Sequence, residues 1–163
     1  GTFQPRSFNL GISKTAFEKT QGFSTMKNGE DIDLTFRLWH NGFETQLLAN
    51  AFVYHKRRST LSQFFKQTFG FGTARPLLKY PKTAKITYWF PTVFIIGFDV
   101  SLILLIFGIP QLIILYGVYF VLLFIDAFIQ YKSISVAFLS GITSLTQFLG
   151  YGLGFLSAQL KKK

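Results

Sequence analysis

The chain has 163 residues, a net charge of +10 and no cysteine, which excludes disulfides and thiolate chemistry among these residues. The charge is concentrated in residues 1–85, which carry 13 Lys or Arg against 5 Asp or Glu. A basic polar part joined to an apolar part favours apposition to an anionic membrane surface. Without a basic run that carries a groove-reading motif, we expect no nucleic-acid partner. Because the sequence begins with Gly1 rather than Met, we expect a piece of a longer protein.

Residues 1–85 predict one mixed α and β domain. Ser13 is placed to cap a short helix that continues through Thr20. Residues 28–42 predict a second helix, which starts after Gly29 and has an apolar face. Residues 45–48 and 52–55 are rich in apolar and β-branched or aromatic side chains, and they predict short strands.

An amphipathic helix is predicted at about residues 60–80, with Ser59 or Thr60 as its cap. Its apolar side carries phenylalanines, and Lys79, Lys82 and Lys85 follow it. Such a helix lies either on the lipid headgroups or against the rest of its own domain, and the sequence favours neither.

Residues 86–163 predict a membrane region. Apolar segments at about 92–109 and 112–130 are long enough for a helical hairpin across a bilayer. A third segment at 134–157 is diluted by Ser, Thr and Gly. Lys161 to Lys163 should remain on the same side as the basic domain, which favours a re-entrant or interfacial third segment. The positive charge of residues 1–85 is larger than that of the three terminal lysines, so we expect the third segment to cross the membrane.

Three carboxylates crowd the start of the second predicted helix: Glu30, Asp31 and Asp33. Acids in a first helical turn complement the helix dipole, which alone accounts for them. Acids at a loop-to-helix junction can also bind a hydroxyl and remove its proton. Asp31 and Asp33 point in nearly opposite directions on a helix, so they cannot easily share one metal ion.

His55 ends a predicted strand and is followed by Lys56, Arg57 and Arg58. This arrangement favours an anion or metal site, although a lone histidine is more often structural. Arg57 and Arg58 can pair with phosphate oxygens, or they can form a solvated face at the membrane.

Two acids fall within the predicted hairpin, Asp99 and Asp126. Ionisable groups are costly in lipid, so they are functional candidates unless they make a polar contact within the helical bundle. In an antiparallel hairpin, we expect them at similar depth.

The order of these features resembles the C-terminal part of the catalytic domain of family 2 glycosyltransferases, the inverting GT-A type. The matching pieces are residues 8–17, Gly22-Phe23, 29–34 with Arg37 and Gly42, 51–55, and Ser59-Thr60-Leu61 with Phe64, Gln67 and Gly72. The segment 29–34 resembles the Glu-Asp motif of the family. Residues 67–71 depart from the Gln-x-x-Arg-Trp motif of processive synthases, which favours transfer of a single sugar.

The resemblance implies an α/β fold for residues 1–85, the C-terminal portion of a GT-A Rossmann-like domain, followed by an α-helical transmembrane region. It implies that Asp31 is the general base and that Glu30 assists in acceptor binding. It assigns His55 to a divalent metal, Mg or Mn, and makes Arg57 and Arg58 partners of the donor phosphates. Asp33 is expected to be structural. The half of the family's domain that carries the metal-binding Asp-x-Asp motif is not matched.

The expected function is therefore transfer of a sugar from a nucleotide-sugar donor to an acceptor hydroxyl with inversion. The acceptor would be a glycan or a polyprenyl-linked sugar, and the enzyme would be multi-pass in the inner (plasma) membrane with its soluble part cytoplasmic. The alternative is a non-catalytic transporter subunit or scaffold with Asp99 and Asp126 as its polar core. A third interpretation is a basic peripheral module that recruits anionic lipids.

Overall fold

The computed structural model of the chain describes residues 1–78 and 86–161. Within this part the chain forms six α-helices in sequence: α1 (Lys14–Lys19), α2 (Glu30–His40), α3 (Leu61–Ala74), α4 (Phe90–Ile106), α5 (Gln111–Tyr131) and α6 (Ile134–Lys161). Short 3-10 turns lie at Ser7–Asn9, Arg75–Leu77 and Ile86–Trp89.

The α/β fold expected for residues 1–85 is wrong. The described residues contain no strand and no sheet, and the segments 45–48 and 52–55 form no ladder. Thr45 makes an isolated parallel bridge to Thr2, in which its N–H donates to the Gly1 carbonyl at 3.1 Å. Strand composition produces a sheet only where neighbouring backbone satisfies the N–H and C=O groups along the segment. The described residues supply this one bridge, so both segments remain irregular.

Two small apolar clusters hold α2 in place. Leu34 and Leu38 pack with Ala16 of α1 in one cluster. Ile32 and Phe36 pack with Leu78 in the other. The predicted cap of α1 is confirmed, because the Ser13 hydroxyl accepts a hydrogen bond from the Ala16 N–H at 3.3 Å. These contacts use the apolar face of α2 and leave its acidic first turn at the edge.

Three helices are long and apolar enough to cross a membrane: Ile86–Ile106, Gln111–Tyr131 and Ile134–Lys161. They lie at the three predicted apolar segments, and α5 exposes a band of large aliphatic side chains for which lipid is the natural solvent. Length and composition thus identify a membrane protein.

Helix α3 packs lengthwise against the C-terminal half of α6. A Cβ added at Gly72 would lie 2.8 Å from the Phe155 amide nitrogen, and one added at Gly150 would lie 2.9 Å from the Phe65 carbonyl oxygen. Glycine lets helix backbones approach this closely, as it does between membrane helices. Another side of α3 faces the N-terminal residues, where Gly70 lies against the Asn28 side chain. The helix therefore contacts both parts of the chain, whereas Lys79, Lys82 and Lys85 lie outside the described residues.

Candidate functional site

The acidic turn begins at Gly29, which adopts a left-handed conformation with φ of 82°. Gly29 accepts the first helical hydrogen bond, from the Asp33 N–H at 2.9 Å. A Cβ at Gly29 would lie 2.9 Å from the Cβ of Ala74, so the turn sits against the end of α3. Glycine satisfies both requirements, the positive φ and the close approach.

Asp33 is fixed by an ion pair within α2. Its Oδ2 atom lies 2.9 Å from both Nε and Nη2 of Arg37, one turn later, and both side chains are largely buried. Arg37 also donates from Nη1 to the Thr20 carbonyl oxygen, which joins α2 to the end of α1. These contacts are those of a structural carboxylate, the role expected for Asp33.

Asp31 is held much more loosely. Its side chain is 13% exposed, its Oδ1 accepts from the Ile32 N–H at 2.8 Å, and its Oδ2 lies 3.9 Å from Nη1 of Arg6. The Arg6 side chain is 54% exposed, and an ion pair at this distance with an exposed partner contributes little to stability. Oδ2 therefore remains able to accept a hydrogen bond from a hydroxyl group.

Arg6 was missed by the sequence analysis. It precedes the 3-10 turn Ser7–Asn9 as a single basic residue, and no spacing relates it to the acids. Its guanidinium also lies 6.0 Å from the centre of the Phe71 ring of α3. Only the folded chain reveals that it borders both Asp31 and α3.

His55 stacks on Phe8, with ring centres 4.1 Å apart and ring planes within 7°. It lies in an exposed irregular segment rather than at a strand end, so that part of the prediction is wrong. Phe8 and Arg6 are two positions apart in the chain, and consecutive Cα atoms are about 3.8 Å apart. His55 therefore lies against the N-terminal turn that follows Arg6.

The other predicted site residues lie in two parts of the chain. Glu30 is the first residue of α2 and is partly exposed, and Arg57 and Arg58 are fully in the exposed segment after His55. Across residues 1–78 and 86–161, no three His, Cys, Asp or Glu side chains converge as a metal site would require. Within that part of the chain His55 is therefore not one of three such side chains that come together.

The two acids of the hairpin do not form a joint polar core. Asp99 and Asp126 are both exposed, and both Asp126 oxygens accept from the Gln130 amide at 3.1 and 3.2 Å. The Tyr116 hydroxyl donates to the Phe94 carbonyl at 2.8 Å, which sets the register of α4 against α5. In that register Asp99 lies near Tyr116, and Asp126 lies about 15 Å farther along α5 at 1.5 Å per residue. The expectation of similar depth is wrong.

Comparison of the chain with protein-family models, with curated protein sequences and with solved structures gave no match. The functional assignment therefore depends on the geometry of the acidic turn and on its position beside the membrane helices.

Proposed function

We propose that the chain is the acceptor-side part of a membrane-bound glycosyltransferase of the family 2 type, in which Asp31 is the general base. The observation that carries the proposal is the difference between two neighbouring carboxylates. Oδ2 of Asp33 is paired with Arg37 at 2.9 Å, whereas Oδ2 of Asp31 lies 3.9 Å from Arg6, its nearest cation among the described residues. A base must be positioned by its surroundings and still have an oxygen available for the proton that it removes.

The proposed step is a displacement at the anomeric carbon of a nucleotide sugar. Oδ2 of Asp31 takes the proton of the acceptor hydroxyl while the hydroxyl oxygen forms the new bond to the anomeric carbon. The bond from that carbon to the diphosphate oxygen breaks, and the leaving nucleoside diphosphate takes the electron pair. Attack opposite the leaving group inverts the configuration. Glu30, on the adjacent position of the same turn, would accept a hydrogen bond from another acceptor hydroxyl.

The leaving diphosphate needs positive charge nearby. Arg57 and Arg58 are exposed in the segment after His55, and Arg6 stands beside Asp31. Guanidinium groups match phosphate oxygens in a bidentate manner, so these residues are the proposed contacts of this chain with the donor. The imidazole of His55 would be the ligand that this chain offers to the Mg or Mn expected from the family, and none of the steps above uses the metal.

The membrane helices support a lipid-linked acceptor, such as a polyprenyl-linked sugar. The acidic turn contacts α3 through Gly29 and Ala74, and α3 contacts α6 through Gly72 and Phe155. One helix layer therefore separates Asp31 from the membrane region, and helices pack about 8–10 Å apart. An acceptor headgroup at the surface of the bilayer would reach the turn. The excess of Lys and Arg in residues 1–85 supports a cytoplasmic location at the inner (plasma) membrane.

The competing transporter or scaffold hypothesis needs Asp99 and Asp126 as a shared polar core. Their exposure and their separation along the hairpin argue against that core. The described residues therefore give that hypothesis no shared site.

The test compares Asp31→Asn with Asp33→Asn in membranes that carry the natural full-length protein, with labelled nucleotide sugars and polyprenyl-phosphate acceptors. We expect Asp31→Asn to lower transfer about 10²–10⁴-fold, because it removes the base. Asp33→Asn serves as the control for a carboxylate on the same turn, and its activity per folded molecule should stay within about threefold, because Asn retains the size of the side chain. Unchanged transfer by Asp31→Asn would show that Asp31 is not the base.

A further inference from the structure

The direction of α6 relative to α4 is unexpected for three successive membrane crossings. Three consecutive crossings joined by short turns would make the first and third helices run in the same direction. The contacts between α4 and α6 show instead that these two helices run in opposite directions. Trp89 packs on Phe155 with ring centres 5.0 Å apart, whereas Phe94, farther along α4, packs on Phe148 at 4.4 Å. Between these pairs, the Thr92 hydroxyl donates to the Gly152 carbonyl at 3.2 Å.

The contacts of α5 complete the path. Early in α6, Phe138 packs on Phe124 of α5 with ring centres 5.1 Å apart. Farther along, the Ser144 and Tyr119 hydroxyls are 2.9 Å apart. Because α4 and α5 form an antiparallel hairpin, the end of α5 and the start of α4 lie at the same end of that hairpin. Helix α6 begins beside the end of α5, and its C-terminal half lies beside the start of α4.

The sides of α6 differ in chemistry. One side exposes large apolar residues at helical spacing: Phe138, Ile142, Leu153 and Leu160. Another side carries Ser140, Thr143 and Gln147, and α3 packs on the continuation of that side at Gly150 and Gly154. An amphipathic helix of this kind lies in the plane of a membrane with its apolar side in the acyl boundary.

We propose that α6 does not cross the membrane. The chain crosses twice, through α4 and α5, and α6 lies along the bilayer surface on the side of the basic residues 1–85. The lipid acyl boundary covers the side of Phe138 and Leu153, and α3 covers part of the opposite side. Lys161 then lies on the same side as the basic domain, which satisfies the charge rule that a third crossing would violate. This topology is independent of the proposed enzymatic activity.

The first test uses the absence of native cysteine. Single variants Ser59→Cys, Phe107→Cys, Tyr131→Cys and Lys161→Cys of the full chain are labelled with a membrane-impermeant maleimide in sealed vesicles of one orientation. We expect Tyr131→Cys and Lys161→Cys to react from the same side as Ser59→Cys, and Phe107→Cys to react from the other. Labelling after detergent treatment establishes that each thiol is reactive. Reaction of Lys161→Cys only from the Phe107 side would overturn the proposal.

A second test measures depth. A fluorophore at Leu153→Cys should be quenched by lipids brominated on the acyl chain near the headgroup, and one at Gln147→Cys should be quenched by aqueous iodide. A crossing helix predicts instead that Leu149→Cys, near the middle of α6, lies close to the bilayer centre and that Phe138→Cys, near its start, lies close to the headgroups, since about 1.5 Å of rise per residue separates them. Equal depth supports the in-plane helix, and a difference of a full leaflet overturns it.

Discussion

Gly29, at the start of α2, lies so close to Ala74, at the end of α3, that a Cβ on the glycine would be 2.9 Å from the Cβ of the alanine. This contact attaches the acidic turn to the helix that packs on α6. The position of Asp31 relative to the membrane therefore depends on two successive close approaches, Gly29 on Ala74 and Gly72 on Phe155.

Gly29→Ala should destabilise the chain by about 1–3 kcal/mol, because the left-handed conformation is unfavourable for alanine and the added Cβ would clash with Ala74. Gly11→Ala is the matched control, since no atom lies within 4 Å of the added Cβ and Gly11 has no positive φ. Thermal unfolding in detergent measures both. Equal midpoints for the two variants would show that the turn does not need glycine.

Asp33→Ala and Arg37→Ala should show a coupling free energy of about 0.3–1 kcal/mol in a double-mutant cycle, as expected for an ion pair four residues apart on one helix. Arg37→Ala should cost more than Asp33→Ala, because it also removes the hydrogen bond to the Thr20 carbonyl. Chemical unfolding at low and high salt gives the values. A coupling energy indistinguishable from zero at low salt would contradict the structural role of Asp33.

Gly150→Ala should separate α3 from α6 at a cost of about 1–3 kcal/mol, since the added methyl group meets the Phe65 carbonyl and the Thr68 hydroxyl. Gly117→Ala is its control within a membrane helix, because its Cβ meets nothing within 4 Å. Hydrogen exchange of the α3 amides should accelerate in Gly150→Ala and remain unchanged in Gly117→Ala. Protection of α3 in both variants would show that its packing does not depend on this approach.

Phe8→Ala should move the imidazole proton resonances of His55 downfield, because the stacked ring shields them. The lost stacking contributes about 0.5–1.5 kcal/mol. Phe52→Ala is the control, since Phe52 packs edge-on against Tyr54 in the same exposed segment. Proton NMR of the isotope-labelled chain in detergent measures the shifts. Unchanged His55 resonances in Phe8→Ala would contradict the stacked arrangement of the two rings.

Features that depend on local sequence were predicted well. The cap at Ser13 and the apolar segments of α4 and α5 need only neighbouring residues or a lipid solvent, so their pattern is sufficient. The strands at 45–48 and 52–55 failed because a strand depends on the backbone of another segment. Arg6 was missed for a related reason, since its approach to Asp31 is created by folding and leaves no spacing signal in the chain.

The sequence by itself determined the three acids at one helical turn, the basic character of residues 1–85 and three helices of membrane-spanning length, because these properties are local. Only the tertiary structure decided that Arg6 approaches Asp31 and that Arg37 also reaches the Thr20 carbonyl. It also decided that α6 returns to the start of α4, since glycine contacts and ring packing set the direction of a helix whereas hydropathy sets only its length. The neighbours of Asp31, and the position of Asp31 relative to α6, are consequences of packing between distant residues.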